Sequence, residues 1–181
     1  MKYVNSLLLK FSFMILALSL VSTTSFAQER GNNEPRTSPN ASVSQTIGTT
    51  QVTINYGRPS VNDRQVFGEL EAYGEVWRTG ANESTAITFS GPVMIEGQKV
   101  EAGTYALYTI PREDEWTIII NSKLSWGTGY DENQDLLRVD VPSMDAPHRE
   151  QFMIFFEEVT NSSAECVLHW NKTKVPFTIS V

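Results

Sequence analysis

The stretch Thr104-Tyr105-Ala106-Leu107-Tyr108-Thr109-Ile110-Pro111, followed after a short polar turn by Trp116-Thr117-Ile118-Ile119-Ile120, decides how this chain folds. Side chains alternate across an extended chain, so Tyr105, Leu107 and Thr109 take one face and Ala106, Tyr108 and Ile110 the other. β-branched and aromatic residues dominate both runs, which suits a pleated, packed surface. Pro111 ends the first run because proline has no N–H to give a ladder. Two such runs joined by a few polar residues read as a β-hairpin.

The same grammar extends in both directions. Val52, Ile54 and Tyr56 alternate with Thr53 and Asn55, and further runs cover residues 85–89, 93–95 and 98–100. Glu96-Gly97 and Glu101-Ala102-Gly103 are turn signals on either side of the last of these. Residues 137–141 alternate apolar and charged side chains and stop at Pro142. Runs at 151–159, 164–170 and 175–181 complete the count, with Asn161-Ser162-Ser163 and Asn171-Lys172 as the turns between them. No window of about 12 residues holds a helical period, and there is no internal repeat. About nine or ten short strands with regular turn signals predict an all-β domain, a β-sandwich of jelly-roll-like or Ig-like kind.

Residues 57–82 break this grammar. The segment is polar and interrupted by glycine, yet it carries Val61, Val66, Phe67, Leu70, Val76 and Trp77. A connection of this length is uncommon in a compact domain unless it is functional or packs as a cover. Residues 67–73 are compatible with a short helix. The densest part is Tyr73-Gly74-Glu75-Val76-Trp77-Arg78-Thr79-Gly80-Ala81-Asn82-Glu83, where functional groups crowd between glycines without an apolar period.

Five segments together resemble a family of exported bacterial proteins, domain of unknown function 2911. They are Tyr56-Gly57-Arg58-Pro59-Ser60; Phe67-Gly68; residues 73–83; Ala102-Gly103-Thr104-Tyr105 running on to Ile110-Pro111; and Glu115-Trp116-Thr117-Ile118. The resemblance covers nearly all of residues 43–181, and 73–83 is its most specific piece. It implies export and a small β-rich domain, and it carries no activity to transfer. This chain has Ala72 where the family pattern often has a proline before the tyrosine.

The N-terminus carries its own message. Lys2 and Lys10 precede an apolar run over residues 11–21, and Ser25-Phe26-Ala27 places small residues where a signal peptidase reads them. That is the pattern of a secretory signal peptide, residues 1–27, and the run is shorter than the ~20 apolar residues of a membrane span. Residues 28–42 have little to bury and read as a flexible leader, and residues 43–181 as one domain. The expected location is exported, periplasmic or secreted, with no membrane span after signal cleavage.

The full chain holds 14 basic and 21 acidic residues, net −7; residues 1–27 hold two of the lysines and no acid, so the mature chain is 12 against 21, net −9. This balance argues against a nucleic-acid partner, which would want a basic face. The single cysteine, Cys166, alternates with Leu168 and Trp170 and reads as a small buried residue. His148 and His169 lack metal-pair spacing, with His169 on a strand face, and residues 131–142 lack the glycine and glutamate of a calcium loop. No metal or cofactor is expected. Trp126 and Tyr130, in a second irregular loop, are expected to plug the open end of the sandwich.

The candidate ligand-binding residues are Arg58, Arg64, Tyr73, Trp77, Arg78, Asn82 and Glu83. An aromatic face stacks on a ring, while a planar guanidinium and an amide take hydroxyls or an anion. Arg78 is expected to pair with Glu83 or Glu75 and so anchor the loop. The leading function is a non-catalytic exported domain that binds a small polar or carbohydrate ligand or an envelope partner. A glycosidase-like hydrolase using the loop carboxylates Glu69, Glu71, Glu75 and Glu83 is the second function, and a structural envelope protein without ligand is the third.

Overall fold

The computed structural model describes residues 34–127 and 129–181. The signal-peptide reading of residues 1–27 and the first part of the leader, 28–33, lie outside the described residues. Ten strands follow in order: β1 (Asn40–Ile47), β2 (Thr50–Gly57), β3 (Thr85–Phe89), β4 (Val93–Ile95), β5 (Gln98–Val100), β6 (Gly103–Ile110), β7 (Glu115–Asn121), β8 (Asp135–Pro142), β9 (Met144–Glu157) and β10 (Ser163–Ser180). They form two antiparallel sheets, one in the order β1-β2-β3-β6-β7-β8 and one in the order β5-β4-β10-β9. The fold is the all-β, open sandwich that the alternating runs predict. No helix among the described residues is long and apolar enough to cross a membrane.

The deciding hairpin forms as read, with Ile110 opposite Thr117 and Ala106 opposite Asn121. Leu107, Ile118 and Ile120 face the main core between the sheets, together with Ile54, Ile87, Trp116, Leu168 and Phe177. β7 is buried on both faces. Ile119 joins Ala106, Tyr108 and Ile110 in a smaller cluster on the outer side of the six-stranded sheet, covered by Leu124 and Tyr130. Cys166 and His169 lie on β10 and are buried, and burial pushes the Cys166 thiol well up.

Three boundaries differ from the sequence reading. Asn171-Lys172 is no turn: β10 runs straight through, and its register against β9 shifts between His169 and Asn171 and again between Asn171 and Thr173. Across each shift two residues of β10 span four of β9, so the extra residues lie on β9 and β10 stays continuous. β10 pairs with β9 from Glu165 to Lys174 and with β4 at Ile179–Ser180. β1 begins at Asn40, inside the segment read as leader. Residues 67–73 form no helix: Gly68 N–H donates to the Glu71 carbonyl and Glu71 N–H to the Val66 carbonyl, each at 2.9 Å, closing a tight loop.

Candidate functional site

The 57–82 connection stitches the two sheets together at one end. It leaves β2 along β9, where Val61 N–H donates to the Glu150 carbonyl and Phe152 N–H to the Pro59 carbonyl, both at 2.9 Å. It returns beside β6. β3 pairs with β6 only as far as Thr85 opposite Leu107, and Trp77 then takes the neighbouring place, exchanging hydrogen bonds with Thr109 at 2.7 and 2.9 Å. Gly74 N–H extends this contact to the Pro111 carbonyl at 2.9 Å. The segment lacks a strand's sequence pattern yet satisfies its backbone groups on two sheet edges, as buried backbone must.

Four of its apolar side chains turn inward, while Leu70 and Val76 stay exposed. Val61, Val66, Phe67 and Trp77 are buried, and Trp77 stacks on Trp170 with ring centroids 5.6 Å apart and planes 18° from parallel. Phe67, Trp116 and Phe152 meet the Trp77 ring edge-on. With Trp77 pointing into the core, its extended neighbour Arg78 points the other way.

Arg78 and Glu71 together line two neighbouring cavities. The first, of about 250 Å³, also takes Ser38, Ser60, Asn62 and Arg64 into its wall. The second, of about 430 Å³, is bounded by Glu75, Tyr108 and Tyr130 as well. Arg78 Nε is buried and has no hydrogen-bond partner among the described residues. Arg64 is held by main-chain oxygens, its Nε donating to the Val61 carbonyl at 2.9 Å and its Nη2 to the Ser60 carbonyl at 2.6 Å. Neither arginine forms an ion pair with a carboxylate among the described residues. Desolvation pushes the Glu71 carboxyl up to about 7, against the opposing pull of Arg78 and Arg64.

The other candidate residues go elsewhere. Arg58 ties the loop to β9, its Nε donating to the Phe152 carbonyl at 2.9 Å. Asn82 Nδ2 donates to the Ser38 carbonyl at 3.1 Å, holding the residues before β1. Tyr73 is exposed and borders a different depression, beside Arg64, Asn171 and Lys172. Trp77 reaches the second cavity but is only 3% exposed, so its ring is packing for the core rather than a platform for a ligand.

The expected partner of Arg78 is also different. Glu83, 2% exposed, accepts both forks of Arg36 at 2.8 and 3.0 Å, and Arg36 lies over the Trp126 ring at 5.9 Å. The second loop divides likewise. Tyr130 packs on Tyr108 with centroids 4.9 Å apart, while Trp126 stays 66% exposed and is no plug. Asp131 caps a short 3₁₀ turn (Glu132–Gln134), and Tyr130 and Arg138 both bond Asp135.

The cavity therefore unites Arg64 and Arg78 of the expected residues, and adds Glu71, Ser38, Ser60 and Asn62. Of these only Glu71 carried a sequence signal, as one of several loop carboxylates. Residues 38–179 match the family described as "Protein of unknown function (DUF2911)". The chain belongs to this family. No curated protein and no solved structure matches it. The family match takes in both ends of the stitched loop and every cavity residue named above, and its description assigns no activity.

Glu71 makes a testable mark on stability. Its carboxyl stands at about 7 in the folded chain against an ordinary 4.5, so the folded state holds the proton more tightly than the unfolded state. The group costs nothing below about pH 4.5, where it is protonated in both states; its cost grows as pH rises and is complete above about pH 7. Glu71→Gln is expected to gain stability relative to wild type between about pH 4 and about pH 8. Denaturant melts at the two pH values check this, and parallel pH dependences would contradict it.

Proposed function

We propose that this chain is an exported, non-catalytic β-domain that binds a small polar or carbohydrate ligand between the 57–82 loop and the residues preceding β1. One observation carries the reading: Arg78 faces a cavity with a buried Nε–H that nothing in the described chain accepts. Buried polar groups in folded proteins are nearly always hydrogen-bonded, so an orphan on a cavity wall points to a partner from outside. Arg64 and Glu71 stand on the same wall, and the loop that carries them is fixed to both sheets. A pinned loop of this kind keeps a site preorganised. Export rests on the charged, apolar and small-residue pattern of residues 1–27.

The glycosidase-like reading has one observation in its favour. Glu71, pushed up to about 7, lies in the range of a general acid, and Glu75 borders the same 430 Å³ cavity. A hydrolase would turn over chromogenic glycosides and lose that turnover in Glu71→Gln; a binding domain would release no chromophore.

The binding reading is tested at Arg78. Arg78→Ala removes a group with no ion-pair partner among the described residues, so stability in denaturant melts is expected to change by less than about 1 kcal/mol. Binding to a sugar and metabolite array is expected to fall at least about tenfold, the equivalent of about 1.4 kcal/mol. A loss of about 3–5 kcal/mol, the signature of a broken buried pair, together with no ligand for the wild-type chain, would sink the reading.

A further inference from the structure

We infer that the smaller cavity recognises an oxyanion, a carboxylate or phosphate group on a small polar ligand, through the paired guanidinium groups of Arg64 and Arg78. The inference rests on the ligand-binding reading and names the ligand's chemical class.

Charge bookkeeping across the described residues, taken together with the lining of the cavity, favours this site. Acidic residues outnumber basic ones by 21 to 14, so cations should find carboxylates easily. Five of the eleven lysines and arginines among the described residues do: Arg36 meets Glu83, Lys99 meets Glu101, Arg112 meets Asp140, Arg138 meets Asp135 and Lys174 meets Glu157. Arg64 and Arg78 are among the six described ones that do not, although Glu69, Glu71 and Glu75 share their loop, and of those six these two alone stand on the wall of this cavity. Two cations thus line one cavity with a single carboxyl, Glu71, and the cavity stays positive in an acidic protein whether or not that carboxyl is ionised. Its elevated titration leaves it partly neutral near pH 7, which deepens the imbalance.

The shape of the donors matches the class. A guanidinium presents a planar fork that binds carboxylate and phosphate in two-point fashion, and main-chain oxygens already orient Arg64. Ser38, Ser60 and Asn62 line the same cavity and offer partners for the neutral part of such a ligand. The larger cavity is unsuited to an anion, because Glu71 and Glu75 both border it. At about 250 Å³ the smaller one lies just under the usual size range of ligand pockets, so it fits a compact head group.

The test titrates the full exported chain with glucuronate, inorganic phosphate and glucose by calorimetry at low ionic strength, with Arg78→Lys and Arg64→Ala beside the wild type. Binding of glucuronate or phosphate, with glucose at least about tenfold weaker, is the expected result. Which of the two binds separates a carboxylate source from a phosphate source. Arg78→Lys keeps the charge and loses the fork, so it is expected to weaken the anion at least about tenfold, with circular dichroism confirming the fold. Glucose binding as tightly as glucuronate, or an anion indifferent to both substitutions, overturns the inference and leaves the ligand-binding reading standing. Failure of all three probes overturns the inference too, and the broader array on Arg78→Ala then decides the parent reading by itself.

Discussion

Replacing Trp77 with alanine is expected to destabilise the domain by about 3–5 kcal/mol, the usual cost of deleting a buried tryptophan. The sequence places Trp77 in its most functional-looking stretch, between Glu75 and Arg78, yet the ring lies at the junction of the loop and both sheets. It stacks on Trp170 of β10, meets Trp116 of β7 and Phe152 of β9 edge-on, and donates its Nε1–H to the Gly80 carbonyl at 3.1 Å. Truncation leaves a cavity among rings that belong to different strands and cannot collapse together, and it frees the Gly80 carbonyl. Trp126→Ala is the control: that ring is 66% exposed, and its loss is expected to stay within about 0.5 kcal/mol. Denaturant melts of the two variants separate the roles. A Trp77→Ala cost below about 1 kcal/mol would return Trp77 to the role of an open binding platform.

That contrast shows where the sequence is legible. Period-2 alternation and turn residues are local, so the hairpin of β6 and β7, the two-sheet architecture and the burial of Cys166 could all be read directly. The same composition that marks a turn can also sit inside a strand, and only the pairing of β10 with β9 shows that one long strand runs through Asn171. Trp77 and Arg78 are adjacent and equally conspicuous, and what sends one inward and the other to the cavity is the pairing with Thr109. Arg36 sits in a stretch with nothing to bury, 47 residues from Glu83, and no local pattern announces their contact. Glu71 looks like every other loop glutamate until tertiary packing desolvates it. The fold is written in short-range periodicity; the site depends on long-range approach, which a single sequence does not encode visibly.

The closest such approach lies at Gly57, where β2 gives way to the long loop. A Cβ built there would sit 2.3 Å from the Ala81 carbonyl oxygen and 3.0 Å from its carbon. Both obstacles are main chain, so no rotamer change relieves them, and Gly57→Ala is expected to cost about 3 kcal/mol, the upper end of ordinary overpacking. Gly74→Ala isolates the other penalty that glycine substitution brings. Gly74 has φ +81° and nothing within 4 Å of its Cβ position, so alanine there meets only backbone strain, roughly 1–2 kcal/mol. The two sites differ in function as well. Gly57 lets the chain at Gly80 and Ala81 lie against the end of β2, and these two residues line the smaller cavity beside Arg78. Gly57→Ala must push that segment outward, carrying with it the Asn82 contact to Ser38. Protein that still folds is therefore expected to have lost binding at the Arg78 cavity, while Gly74→Ala keeps it. Melts and ligand titrations on the same two preparations decide the matter. A Gly57→Ala cost no larger than that of Gly74→Ala would mean that the loop end is not packed against β2 as described, and the cavity wall would lose its anchor.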